Sequence, residues 1–209
     1  MKACYTAIFG NYDDLKEPTI VSPGWEYICF TDQPLKSDIW KIRQVEAHNP
    51  QWKAREVKIM SHHYLTNNET MWLDASFQIR VDLNKFWELR FKSPFTSPRH
   101  PLRHCIYSEI RSCIANNRGN PRELIAQEQE YRKLGVPANA DNIISSGILM
   151  RDQRANKLNE AWWQEMQGRS VRDQVAFAKI CRNFEWYKTN FDYSQSSELK
   201  YIRHIHLRH

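Results

Sequence analysis

The sequence predicts an α/β fold, a single domain with a mixed, mostly parallel central sheet flanked by helices. Three observations predict it. Three strand-like segments, a helix and a further strand follow one another in the first half, helical runs dominate the second, and no Gly- or Ser-rich linker or internal repeat divides the 209 residues. A chain of that length buries one sizeable core and is short for two, so the domain is expected to span 1–209.

Residues 3–9, ACYTAIF, read as the first strand, followed by turn chemistry in GNYDDL. EYICFTD (26–32) reads as a second strand and ends in Asp32; IWKIRQVE (39–46) reads as a third. In 53–65, KAREVKIMSHHYL, Val57, Met60, Tyr64 and Leu65 recur near helical spacing and predict a helix lying on the sheet. The next strand, TMWLDASFQI (70–79), carries a lone acid, Asp74. Helices are expected at 102–117 and at 121–135, the latter with Pro121 at its start and Gly135 at its end. NIISSGILMR (142–151) reads as a strand, and helices follow at 156–168 and 171–184. In such sheets ligands sit beyond the carboxyl ends of the strands, which places Asp32 and Asp74 on a functional rim.

Thirty Lys and Arg against 24 Asp and Glu give a net charge of +6, with eight His besides, so an anionic partner fits. The basic residues are dispersed, which speaks against a nucleic-acid or polyanion binding module, the main alternative to an enzyme. Five Cys without a CxxC pair fit neither a disulfide framework nor a zinc site and read as reduced thiols. The N-terminus lacks a signal-peptide core and no run approaches about 18 apolar residues, so a cytoplasmic protein is expected.

The sequence holds no GxGxxG after the first strand, no GxxxxGK[ST], no HExxH and no GxSxG, which speaks against dinucleotide enzymes, P-loop enzymes, zincins and the commonest hydrolases. A nucleotidyltransferase would need a Gly-rich phosphate loop, and IFGNYD has one Gly. Arg55 and Lys58 lie three apart on one helix face, either as a solvated pair or as two cations for a diphosphate. Asp173 and Gln174 open a helix, where an acid is favoured by the dipole alone or serves a site. Trp162 and Trp163 read as core or cleft wall. His204 and His206 share a face if RHIHLRH is a strand, giving a metal-ligand or phosphate-contact pair, and otherwise belong to a frayed basic tail.

Eight segments in this order, YTAIFGNYDDL, ICFTD, AREVKIMSHHYL, MWLDASFQI, HPLRHCIYSE, SSGILMR, WWQEMQGRSVRDQVAF and HIHLRH, carry a resemblance covering nearly the whole chain. They resemble a glycosyltransferase-like domain family, formerly a domain of unknown function, found in plant cell-wall polysaccharide transferases and bacterial surface-polysaccharide loci. A more distant similarity runs to glycogenin-type retaining glycosyltransferases of GT-A fold. By it, Lys58, Asp74, the SSG at 145–147, Asp173 with Gln174, and His204 or His206 stand at matching places.

The resemblance implies a GT-A-like glycosyltransferase moving a sugar from a nucleotide-sugar donor, a UDP-sugar, to a glycan or glycolipid hydroxyl. Asp74 resembles the surviving acid of a DxD motif that holds Mn²⁺ or Mg²⁺ against two phosphates. Ser76 stands where the second acid would be, one hard carboxylate fewer, which weakens such a metal site; His204 and His206 complete the implied ligands. Arg55, Lys58 and Asp74 are the expected contacts to the donor diphosphate, and Tyr5, Thr6 and Asp32, at the ends of the first two strands, are the expected nucleoside pocket of the nucleotide-sugar site. Asp173 and Gln174 are the implied catalytic pair, and His100, Arg103 and Glu109 shape the acceptor side. No nucleic-acid partner is expected, and a basic surface leaves room for peripheral contact with a membrane.

Overall fold

A computed structural model of the protein describes residues 1–138 and 142–202. In chain order it begins with β1 (Lys2–Ile8), β2 (Trp25–Thr31), β3 (Lys41–Gln44), α1 (Pro50–Ile59), α2 (Ser61–Tyr64), β4 (Glu69–Leu73) and β5 (Phe77–Ile79). It continues with α3 (Leu83–Arg90), β6 (Phe95–Pro98), α4 (Ile106–Ala115), α5 (Pro121–Lys133), β7 (Ile148–Asp152), α6 (Asn156–Met166), α7 (Asp173–Ile180), β8 (Tyr187–Thr189) and β9 (Leu199–Tyr201).

Seven strands form the central sheet in the order β3-β2-β1-β4-β7-β6-β8, and β5 pairs with β9 in a second, two-stranded sheet. Neighbouring strands run parallel except at β7, which is antiparallel to both β4 and β6. Register pairs Leu73 with Ile148, so the carboxyl end of β4 and the amino end of β7 meet on one rim. The carboxyl ends of β1, β2 and β6 open onto the same rim. No helix of the described residues is long and apolar enough to cross a membrane.

Period-two alternation gives the sheet two apolar faces. Tyr5, Phe30, Trp72 and Leu149 pack against Val57 of α1, Trp162 of α6 and Phe177 of α7. Tyr27, Met71, Leu73 and Met150 pack on the other side against Phe77 and Ile79 of β5, Phe86 of α3 and Leu199 of β9. A third cluster joins α4, α5 and α7 through Ile110, Leu124, Tyr131 and Val175.

Several elements differ from the sequence reading. The single helix expected at 53–65 is broken at Met60 (φ −89, ψ 41) into α1 and α2. Arg151 supplies the reason: its guanidinium donates to the carbonyls of Lys58 at 2.7 Å and Ile59 at 3.2 Å. Those carbonyls would otherwise accept from the next turn of a continuous helix. The expected strand 70–79 is also two elements. Its chain turns at 74–76, closed by the Phe77 N–H on the Asp74 carbonyl at 2.9 Å, and β5 leaves the main sheet for β9.

Residues 142–147, expected at the start of a strand, form a loop ahead of β7 in which Ser145 N–H donates to Pro98 O at 2.8 Å. The third strand and the helices expected at 102–117 and 171–184 are shorter than read. Elements α3, β6, β8 and β9 have no counterpart in the sequence reading. For α3 the signal was present: Asp82 caps the Asn84 N–H at 2.9 Å, and Leu83, Phe86 and Trp87 follow on one buried side.

Candidate active site at the carboxyl rim of the sheet

Asp74 leaves β4 at the rim with its side chain 42% exposed. Its backbone N–H donates to Gly147 O at 2.9 Å, and Trp72 Nε1 donates to its Oδ1 at 2.8 Å. Gly147 leaves room for this carboxylate: a Cβ there would lie 3.0 Å from Asp74 Oδ2 and 3.1 Å from the Phe77 ring. Backbone pairing thus fixes where Asp74 starts, and a missing side chain opposite lets it stand free.

Lys58 lies in the last turn of α1, and its side chain is 2% exposed. Long side chains lean toward the amino end of their own helix, which carries the ammonium away from the helix terminus. Its Nζ sits 2.7 Å from Asp173 Oδ2, 3.1 Å from Ser146 Oγ and 3.5 Å from Asp74 Oδ1, and it lies over the Trp72 ring at 5.6 Å. Asp173, equally buried, opens α7. Its Oδ1 accepts the Gln174 N–H at 3.0 Å and lies 3.7 Å from Arg55 Nε, and Ser146 Oγ donates to its Oδ2 at 3.0 Å. Burial pushes the Asp173 carboxyl up, but the charges of Lys58, Arg55 and Arg172 outweigh it and hold the group well below the ordinary carboxylate range. Asp173 is therefore an anion clasped by cations, with Trp162 Nε1 on its backbone carbonyl at 2.8 Å.

The rim thus brings together Arg55 and Lys58 of α1, Asp173 of α7 and Asp74 of the turn after β4. Gln174 stands beside them, its amide donating to Ile144 O at 2.7 Å and accepting from Arg172 at 3.1 Å. Two further residues complete the group, one matched by the resemblance only within its SSG segment and one that sequence reasoning did not single out. Ser146, inside the SSG segment, bridges Lys58 and Asp173, and Arg172, immediately before Asp173, links them to a second cluster.

That second cluster contains His100, Arg103 and Glu109. Arg103 Nε bonds the buried Glu109 carboxylate, Arg103 lies 3.1 Å from His100 Nε2, and Arg172 lies 3.8 Å from Glu109 Oε1. Cys113 Sγ donates to Glu109 at 3.3 Å. His100 Nδ1 accepts the N–H groups of Leu102 at 3.1 Å and Arg103 at 3.0 Å, closing the turn after β6. Burial, with Arg103, His104 and Arg172 nearby and against the pull of Glu109, takes the His100 pKa down to about 4.

An unfolded histidine binds its proton near about 6.5, so between that value and about 4 the unfolded chain holds the extra proton. Stability contributed by neutral His100 is full above about pH 6.5 and falls as pH drops toward 4. Urea titrations at pH 7 and pH 5 are expected to show this loss, and His100→Asn to reduce it. An unchanged pH slope in the variant would mean that His100 titrates normally.

Other expected contacts lie differently. Tyr5 is fully buried on the α1 face, donating its hydroxyl to Lys58 O at 2.8 Å and accepting from Arg151, so it supports the end of α1. Thr6 is buried with its hydroxyl unpartnered. Asp32 accepts the Gly10 N–H at 3.0 and 3.1 Å and Gln33 Nε2 at 2.8 Å, pinning the turn after β1. Trp162 is core, while Trp163 is partly buried and edge-on to Trp52. Ser76 O accepts from Ile202 N–H at 2.8 Å. His204 and His206 lie outside the described residues.

Among the described residues no three His, Cys, Asp or Glu side chains converge as metal ligands. Asp74 Oδ1 is taken by Trp72 Nε1 and faces Lys58, which leaves Oδ2 as its open oxygen, while Asp173 is already enclosed by cations. A cation there would take its remaining oxygens from water and from the donor's phosphates. Lys58, Ser146 and Asp173 touch one another directly at the rim, and two concavities lie elsewhere. One, of about 160 Å³, is at the opposite end of β4 and β7; the other, of about 290 Å³, is beside Tyr187.

The family model of the TOD1/MUCI70 glycosyltransferase-like domain matches residues 2–205. The chain belongs to that family. No curated protein matches it. The TOD1/MUCI70 match covers β1 to β9, and the mixed sheet with its helices is consistent with a GT-A-like single domain. Within this TOD1/MUCI70 domain, the rim site draws on residues from Arg55 in α1 to Gln174 in α7.

Proposed function

We propose that the domain is a GT-A-type glycosyltransferase that moves a sugar from a nucleotide-sugar donor, a UDP-sugar, to a hydroxyl of a glycan or glycolipid. The observation that carries the reading is the convergence of half-exposed Asp74 with buried Lys58 and Asp173 at the carboxyl ends of the strands, within a glycosyltransferase-like family.

In sugar transfer the costly event is departure of the leaving group, when the anomeric carbon gains oxocarbenium character and negative charge builds on the diphosphate. Fixed cations aimed at that charge accelerate the step because they need no reorganisation. Arg55 and Lys58 fill this role, the Arg as a planar fork and the Lys as a point charge. Asp173, ionised between them, faces the sugar and stabilises the positive centre, with Gln174 beside it. Retention of anomeric configuration follows from the glycogenin-type resemblance. His100, Arg103 and Glu109, joined to Asp173 through Arg172, form the acceptor side. A divalent cation, when bound, would add charge neutralisation at Asp74, but the described donors do not make a site for it alone and no step here depends on it. Surface-polysaccharide synthesis at the cytoplasmic side, with peripheral contact to a membrane-borne glycolipid, fits this chemistry.

Thermal melts with UDP, GDP, CDP and dTDP, with and without Mn²⁺, test the reading. UDP is expected to stabilise the protein, by about 2.7 kcal/mol at a hundred times its Kd, and to do so less in Asp74→Asn. If no diphosphate stabilises it while heparin or DNA binds with steep salt dependence, the domain is a polyanion-binding module instead.

A further inference from the structure

The Asp74 carboxylate has an occupied side and an open one. Its Oδ1 accepts from Trp72 Nε1 at 2.8 Å and lies 3.5 Å from Lys58 Nζ, toward the sheet face that α1 covers. Its Oδ2 lies toward Gly147 and the ring of Phe77, which belongs to the core of the other face. A Cβ on Gly147 would stand 3.0 Å from that oxygen and 3.1 Å from the ring, so the space of one missing methyl separates carboxylate from aromatic.

Phe77 is the buried base of an aromatic wall. Register places Tyr201 of β9 directly across from it, where paired side chains stand on one face. The Phe77 ring centre is 5.5 Å from that of Tyr201 and 5.3 Å from that of Tyr193, and the two tyrosine rings are 6.1 Å apart. Two backbone bonds tie this wall to the turn that carries Asp74: Phe77 N–H donates to Asp74 O at 2.9 Å, and Ile202 N–H donates to Ser76 O at 2.8 Å. Wall and carboxylate therefore keep a fixed relation. Phe77 is 5% exposed and Tyr193 half-buried, so packing accounts for them, whereas Tyr201 keeps 48% of its surface in water. Single exposed rings are ordinary on a protein surface, but this one extends a rigid aromatic cluster to the edge of the only open carboxylate of the rim group.

We infer that Tyr201, with Tyr193 beside it, is a platform on which a pyranose ring of the sugar substrates stacks next to Asp74. The inference rests on the sugar-transfer reading and adds the place where a ring lies. The chemistry of the two surfaces matches. An aromatic face carries partial negative charge and attracts the C–H groups that line one face of a pyranose, and both surfaces lose water on contact. The hydroxyls around the same sugar need acceptors, and a carboxylate oxygen is one that a neutral sugar approaches without repulsion. The diphosphate has its cations elsewhere, Arg55 and Lys58 of α1, on the other face of the sheet.

Saturation-transfer NMR titrations with the methyl glycosides of glucose, galactose, xylose and N-acetylglucosamine test the platform, with UDP and UDP-glucose as further arms. At least one glycoside is expected to bind the native chain saturably, at least about tenfold more weakly in Tyr201→Ala, and within about twofold of native in Tyr201→Phe, which keeps the ring. UDP is expected to bind native and variant chains alike. Should Tyr201→Ala fail to fold, Tyr201→Leu, which keeps apolar volume without an aromatic face, takes its place. A glycoside that binds beside saturating UDP-glucose marks the acceptor's ring, and one displaced by UDP-glucose but not by UDP marks the donor's; either upholds the platform. No saturable glycoside binding, or binding that ignores the loss of the ring, would overturn it, and UDP binding in the same samples shows whether the sugar-transfer reading falls as well. UDP binding weakened by Tyr201→Ala would assign the ring to the nucleobase and overturn the platform equally.

Discussion

Asp74→Asn is expected to fold as the native chain does and to transfer sugar at least about 100-fold more slowly, the scale of losing one electrostatic group aimed at the reacting centre. Folding survives because the contacts that set this turn do not need the charge. Asp74 N–H still reaches Gly147 O, its carbonyl still accepts from Phe77, and an amide oxygen still accepts from Trp72 Nε1. Lys58 keeps Asp173 as its closer partner, at 2.7 Å against 3.5 Å for Asp74. What disappears is the open half of a carboxylate, the only part of the rim cluster that faces solvent to this degree. The measurement is donor hydrolysis and transfer with the nucleotide sugar whose diphosphate stabilises the protein, beside a urea midpoint. Near-normal turnover with an unchanged midpoint would make Asp74 a turn residue.

Lys58→Met is expected to cost about 3–5 kcal/mol of stability, toward the lower end because Arg55 remains 3.7 Å from Asp173. Methionine fills much of the volume but leaves a buried carboxylate without its nearest cation. The direction with pH follows from linkage. In the native chain Asp173 is held far below its unfolded value, so its contribution is full above about pH 4 and is lost only as pH falls through the depressed value. Without Lys58 burial raises the group, so the variant's deficit is greatest near pH 7 and shrinks as acid protonates Asp173. Lys58→Met with Asp173→Asn should recover much of the loss, since neither member then carries an uncompensated charge. A single-variant loss under about 1 kcal/mol would show that solvent reaches this pair freely.

Ser146 deserves the same treatment as its partners, because it touches both at 3.1 and 3.0 Å. Sequence patterning found Lys58 and Asp173 through helix position and resemblance, whereas Ser146 entered only within the SSG segment of the resemblance, since a serine in a short polar run carries no periodic signal. Arg172 escaped for a similar reason. It sits at a helix start, and its meaning arises only from Glu109 lying opposite in another helix. Tyr5 and Asp32 show the converse. Placement at strand ends suggested ligand contacts, while Arg151 and the Gly10 turn take up their polar atoms.

The sequence by itself determined the class of fold, the rim position of Asp74 and the helix-borne cations, because alternation, helical spacing and caps are local properties of the chain. It also determined the family, through motifs in fixed order along nearly all of its length. Only the tertiary structure decided that α1 stops at Met60, since the carbonyls there are claimed by Arg151, 92 residues beyond Ile59. It alone decided that β5 leaves the main sheet for a strand near the other end of the chain, and that Lys58, Ser146 and Asp173 share one buried contact. These outcomes depend on which distant groups satisfy a donor or a charge once water is excluded. Local sequence specifies what a residue can bond, and the fold chooses its partner.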